Sequence, residues 1–124
     1  MARAVVEAMA FQTRDVVEAM VEAGAQPLTE LKVDGGVAVM DLLLKLQADQ
    51  LGVPVTRSAT TETTALGAAF FAGLAEKLWS STDELAGLWR GDPAVEPAAD
   101  RRAAEVSYRR WLEAVERSRG WASD

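Results

Sequence analysis

The sequence predicts an α/β chain that is mostly helical, with two short parallel strands. Three observations carry that expectation. Helical and strand-like patterns alternate in the order helix, strand, helix, strand, helix, and such alternation implies parallel strands joined by helical crossovers. Only two strand-like runs occur, and two short strands do not make an independently stable sheet. The chain also opens inside an amphipathic helix with no strand before it. The expectation is the closing part of a larger sheet domain. Residues 1–78 would form an αβαβα core, and residues 79–124 would add trailing helices. A missing remainder leaves apolar surface uncovered, which predicts self-association.

The first helix is expected from Ala2 to Ala23. Val5, Val6, Met9, Ala10, Thr13, Val16, Val17, Met20 and Val21 recur at helical spacing, with Glu7, Asp15, Glu18 and Glu22 opposite. Gly24 is the expected stop. Phe11 sits among the acids, so it is either a singly exposed aromatic or a contact for a partner or a missing domain. After Pro27, Leu28–Val33 reads as a strand, and Asp34-Gly35-Gly36 punctuates it. A second helix is expected from Ala38 to Gln50 with Leu42, Leu43 and Leu46 inward, ended by Leu51-Gly52. Residues 53–56 read as a second strand, with Pro54 near its start, where a missing donor is tolerated.

A third helix is expected from Thr63 to Leu78. Its Ala65, Gly67, Ala68, Ala69, Ala72 and Gly73 allow close backbone approach, which predicts a central, buried helix. Ser81-Thr82-Asp83-Glu84 resembles a capping box opening a short helix to Leu88. Residues 90–99, with Gly91, Pro93 and Pro97, read as a loop. Asp100 is the expected cap of a last helix to Arg119, with Ala104, Tyr108, Trp111, Leu112 and Val115 on one face.

Composition excludes several functions. Charged residues make up 26% of 124 residues and the formal net charge is −6. An acidic chain without a basic stripe is not expected to bind nucleic acid or an anionic membrane surface. Cysteine and histidine are both absent. Disulfides, thiolate metal sites and Ser-His-Asp or Cys-His catalysis are therefore unavailable to this chain, and no residue spacing suggests a metal site. No apolar run reaches membrane-spanning length, and the start lacks the pattern of a secretory signal. These features predict a cytoplasmic protein.

The chemical feature that stands out is Val33-Asp34-Gly35-Gly36-Val37-Ala38, in which a strand delivers two glycines to a helix start. Glycine suits positive φ or close approach of backbone to a ligand. In open α/β sheets ligands bind at the carboxyl ends of strands, and a helix start offers free N–H groups. A nucleotide fits that position, although a Gly-Gly pair also serves plain turn geometry. No Lys follows as in a GxxxxGK[ST] loop. The carboxylate of Asp34 is expected to cap the turn, and Glu62 to serve the start of the third helix. The charges at Arg101, Arg102, Glu105, Arg109, Arg110, Glu113, Glu116 and Arg117 read as a solvated helix face. Trp79, Trp89, Trp111 and Trp121 read as core or rim packing.

Longer stretches carry a resemblance. Ala10-Phe11-Gln12-Thr13-Arg14-Asp15-Val16, Leu31-Lys32-Val33-Asp34-Gly35-Gly36, Leu46-Gln47-Ala48-Asp49-Gln50-Leu51-Gly52, Glu62-Thr63-Thr64-Ala65-Leu66-Gly67-Ala68-Ala69 and Tyr108-Arg109-Arg110-Trp111 follow in collinear order. Together they resemble the C-terminal part of the FGGY carbohydrate kinase family. The resemblance implies the C-terminal part of a ribonuclease-H-like domain in an actin-like ATPase fold. It implies a parent enzyme that transfers the ATP γ-phosphoryl, with Mg²⁺, to a hydroxyl of glycerol or of another sugar such as xylulose. It assigns the adenosine and phosphate side of the nucleotide to Gly35 and Gly36, and puts Met40 near the adenine. Where the family carries an asparagine, Met40 can pack on a base but cannot donate an amide hydrogen bond. The family's catalytic base, an aspartate, lies upstream, so no catalytic or metal-binding residue is expected here and the chain alone is expected to be inactive. A homo-oligomeric parent is implied. The competing class is a non-catalytic helical oligomerisation module.

Overall fold

The structure is a computed structural model that describes residues 2–120; Trp121 lies outside them. Helix α1 spans Ala2–Glu22. It stops at Gly24, where φ is 96°. The Ala25 N–H donates to the Met20 carbonyl and the Gly24 N–H to the Val21 carbonyl, each at 3.0 Å. That pair of bonds is a Schellman motif, and it satisfies the carbonyls a helix end would leave open.

Strand β1 (Leu31–Val33) pairs in parallel with β2 (Val55–Arg57), with Leu31 opposite Val55 and Val33 opposite Arg57. Both strands are shorter than expected. Residues 28–30 extend beyond the ladder, and the pairing begins with the Leu31 N–H donating to the Pro54 carbonyl at 2.9 Å. The expected loop at 90–99 does more than connect. Val95 pairs antiparallel with Val55, and Gly91 with Ser58. This segment covers the second edge of β2, so β2 is central and β1 is the edge. Its glycine and prolines hid that role, because they read as breakers.

Helix α2 (Asp41–Leu51) begins three residues later than expected. Gly36–Val39 forms a single 3₁₀ turn instead, and Met40 is extended at φ −85°, ψ 102°. The inward stripe changes with it. Leu43, Leu44, Gln47 and Ala48 are buried, whereas Leu42 is exposed and Leu46 half-buried. Leu44, Ala48 and Val55 form the core, with Leu31, Val33 and Val95 packed on it. The side that meets β2 decides the stripe, and it lies one position on from the side chosen by leucine spacing.

The third expectation fails most clearly. Helix α3 (Thr63–Ala75) buries only Gly73. Leu66 and Phe71 are exposed, Phe71 to 72%. Among the described residues only the side of this helix carrying Gly67, Phe70, Gly73 and Leu74 is covered, and Ala65, Ala68, Ala69 and Ala72 face outward. Gly73 sits under the Trp79 ring, which meets Phe70 edge-on with centroids 5.3 Å apart. The helix ends short of Leu78 because Lys77 is left-handed, with φ 62°. Helix α4 (Thr82–Ala86) is capped as expected, with the Ser81 hydroxyl accepting from the Glu84 N–H. Glu62, expected to serve the α3 start, makes no side-chain cap bond there.

Helix α5 (Arg102–Ser118) returns to pack on α1 and α2. Asp100 caps it by accepting the Arg102 N–H at 3.0 Å. Ala104 and Tyr108 are buried, Trp111 and Val115 are half-buried, and Leu112 is exposed rather than on the packed face. Phe11 is neither a lone exposed aromatic nor an unfilled contact: it stacks on Trp111 with centroids 5.5 Å apart. Arg14, its side chain only 12% exposed, ties three helices together. Its guanidinium donates to both Glu105 oxygens at 3.0 Å, to Glu18 at 2.7 Å and to Gln50, and it lies 3.9 Å from the Tyr108 ring centroid. The Tyr108 hydroxyl faces Asp15 and Glu18, and burial first, then those carboxylates, raise its pKa beyond the ordinary range. Arg101 donates to the carbonyls of Asp49 and Gln50 at the α2 end. Arg101 and Glu105 are therefore not a solvated face: half-buried side chains use them to dock α5.

Candidate functional site

The β1–α2 connection carries all three residues singled out from the sequence. Gly35, Gly36 and Met40 fall within six consecutive positions at the carboxyl end of β1. Gly35 requires its residue type, with φ 82° and ψ −179°, a conformation closed to most side chains. Gly36 has no positive φ, and a Cβ built there meets nothing within 4 Å. Gly35 is thus explained by the turn itself, whereas Gly36 leaves open space beside the backbone. Met40 is half-buried and forms the joint between the 3₁₀ turn and α2.

The turn differs electrostatically from the expectation. The glycines do not open a long helix. The α-helical start lies at Asp41, which places a carboxylate in the first turn of α2. A negative charge there is favourable for the helix dipole and neutralises the end that an anion would use. The turn therefore offers backbone and the Met40 side chain rather than a helix-start anion site.

Two side-chain contacts fasten the turn. The Asp34 carboxylate does not cap it but accepts a hydrogen bond from the Thr63 hydroxyl at the start of α3. Arg57, at the end of β2, donates to the Ala38 carbonyl at 3.1 Å, to Asp41 at 3.2 Å and to Asp92 at 2.8 Å. The Asp92 hydrogen bond comes first in raising its pKa above the ordinary arginine value, against a desolvation cost. Sequence reasoning missed Arg57, Asp92 and Thr63 at this place. Their partners lie 16 to 35 residues away, so no local spacing signals them.

A 310 Å³ pocket lies beneath the turn, lined by Leu31, Val33, Asp34, Val37, Ala38 and Leu43 among others. Gly35, Gly36 and Met40 do not line it. Gln47 also lines it, and its Oε1 is buried without a hydrogen-bond partner among the described residues. No group of three or more carboxylates that could hold a metal occurs among the described residues. No helix among the described residues is long and apolar enough to cross a membrane.

Comparison with known proteins gives this geometry a context. The chain is 56% identical over 124 residues to a glycerol kinase of Aromatoleum aromaticum and 48% identical over 123 residues to one of Deinococcus radiodurans. These alignments cover 98% and 99% of this chain but 25% of each relative, so the chain spans about a quarter of their length. The crystal structure of Plasmodium falciparum glycerol kinase with ADP superposes with a TM-score of 0.80 at 30% identity, over 97% of this chain and 24% of that one. Gluconate kinase from Lactobacillus acidophilus shares the fold, with a TM-score of 0.80 at 23% identity, over 94% of this chain and 24% of that one. The chain has the architecture of the C-terminal part of these kinases, which have the actin-like ATPase fold. Residues 1–76 match the C-terminal domain of the FGGY family of carbohydrate kinases, and the chain belongs to that family.

Proposed function

We propose that this chain is the nucleotide-side, C-terminal portion of an ATP-dependent glycerol kinase. The observation that carries this reading is the identity of 47 to 56% to glycerol kinases along nearly the whole chain. The similarity to gluconate and xylulose kinases is at 23% and reflects shared fold. In the proposed reading Gly36 lets the backbone lie against the adenosine, Gly35 shapes the turn, and Met40 packs on the base. The open space at Gly36 supports this, because a ligand can approach there without displacing any side chain. Mg²⁺ would arrive with the nucleotide, whose charge it neutralises in phosphoryl transfer. Its protein ligands and the base that deprotonates the polyol would come from outside this chain. The substrate is a small polyol, the parent is a cytoplasmic homo-oligomer, and the chain by itself is inactive. The match over residues 1–76 supports dividing the chain near residue 78, into an αβαβα part and trailing helices.

A titration with ATP tests the reading. Amide chemical shifts should move at Gly35, Gly36 and Met40 at millimolar nucleotide, and less at α5. No change at the turn at that concentration would remove the nucleotide assignment and leave the oligomerisation module as the better reading.

A further inference from the structure

We propose that Arg57 is the positioning residue of the Gly35–Met40 turn, and that it sets nucleotide affinity by holding the turn in one shape. The second half of that statement rests on the nucleotide reading above; the first half does not.

The turn needs such a brace. Gly35 and Gly36 lose more conformational freedom on ordering than other residues, and a single 3₁₀ turn supplies few bonds of its own. Those bonds are the Ala38 N–H to the Gly35 carbonyl and the Met40 N–H to the Val37 carbonyl. Val37 and Val39 are 51% and 60% exposed and only the Ala38 methyl is buried, so packing holds the turn at a single point. What remains are the two side-chain contacts at its ends. Asp34 is held by Thr63. Ala38, two residues before Met40, and Asp41, directly after it, are both held by Nη1 of Arg57.

The Arg57 side chain is itself oriented. It leaves β2 at a residue paired with Val33, and its Nε donates to Asp92 at 2.8 Å. Asp92 is fixed in turn, because its N–H donates to the Arg57 carbonyl at 2.9 Å. The guanidinium is thus gripped from the edge segment on one side and grips the turn on the other. A planar fork can serve three acceptors at once; the point charge of a lysine cannot hold that geometry. Exposed ion pairs such as Arg57–Asp41, with Asp41 at 87% exposure, add little stability. The brace therefore acts on the shape of the turn more than on the stability of the fold. A preorganised turn binds more tightly because ordering costs are met before the ligand arrives.

The experiment compares the 124-residue chain with Arg57→Gln and Arg57→Lys. Backbone order parameters are measured without nucleotide, and ATP affinity by titration. In the parent chain, order parameters at Gly36–Asp41 should be about 0.85; in Arg57→Gln they should fall below about 0.6, with Leu44 and Tyr108 unchanged. ATP affinity should fall about tenfold in Arg57→Gln, and by less in Arg57→Lys. Asp92→Asn should move both readouts in the same direction by a smaller amount. Unchanged order at the turn in Arg57→Gln overturns the brace, whether or not ATP binds. A loosened turn with unchanged ATP affinity overturns the link to affinity. Loss of order at Leu44 as well as at the turn means general destabilisation and also overturns the proposal. Absence of ATP binding in the parent chain removes the nucleotide reading and the affinity half with it, while the order parameters still decide the brace.

Discussion

The body formed by α1, α2, α5 and the strand pair contrasts with the arm formed by α3 and α4. The arm's main helix is the more uniformly apolar of the two regions, yet the body holds the core. Leu44, Ala48 and Val55 are buried at 2% exposure or less, while Phe71 and Leu78 in the arm stand at 72%. The difference is partners. In the body, α5 returns from the far end of the chain and is fastened by Arg14, Arg101 and Tyr108. In the arm, Gly73 and Trp79 make the main local contact. Apolar composition marks a surface for burial, and burial happens only where another element covers it.

The largest effect should come from core truncation. Leu44→Ala removes a fully buried side chain beside Val55 and should cost about 2–5 kcal/mol. Phe71→Ala in the arm should change stability by no more than about 0.5 kcal/mol. Denaturant melts of the two variants test the contrast, and equal losses would break it. Light scattering adds a second readout: Phe71→Ala should reduce self-association, whereas Leu44→Ala should not.

An intermediate effect should come from the α5 fastening. Arg14→Met keeps the apolar stem but removes the guanidinium from Glu105, which keeps only Arg101 at 3.4 Å, and from Glu18, which keeps only the Tyr108 hydroxyl, and should cost about 1–3 kcal/mol. The same contact makes α5 docking dependent on pH. The Arg14 hydrogen bond holds the Glu105 carboxyl below the usual carboxylate range. A depressed acid contributes stability above its unfolded pKa, about 4.3, and loses it as pH falls through the folded value. Fluorescence of Trp111, which stacks on Phe11 and donates to Asp15, should therefore change on acidification below about pH 4 in the parent chain. In Arg14→Met the Glu105 contribution to that transition should shrink to what Arg101 and Arg109 sustain. An identical acid profile in both chains would show that α5 docks without the ion pair.

The smallest effect belongs to a local cap. Ser81→Ala removes the hydroxyl that accepts the Glu84 N–H and should cost about 0.5–1 kcal/mol. Because α4 lies in the arm, the loss should appear as local fraying in amide exchange and leave the protection of Leu44 unchanged. A matching loss of protection at Leu44 would join arm and body into one cooperative unit.

Local chemistry was legible in the chain. The Gly24 stop, the Asp100 and Ser81 caps, the parallel order of the strands and the Gly35-Gly36 turn all follow from residues a few positions apart. Such features depend on backbone φ and on groups within one turn, so a sequence displays them directly. Met40 follows the turn, but its extended backbone, which delays α2 to Asp41, is not visible from helical periodicity. Long-range pairing decided the rest. The Asp34–Thr63 bond, the Arg57 brace, the Arg14 fastening and the strand cover from Val95 join residues 16 to 91 positions apart. Leu42 and Leu112 face solvent, although each belongs to an apolar pattern, because the pattern shows that a helix has an apolar side and not which neighbour will meet it. Residues along the chain carry the order of the elements and their turns and stops. Which faces are covered follows from packing, since burial depends on the element across the gap and not on the residues along it.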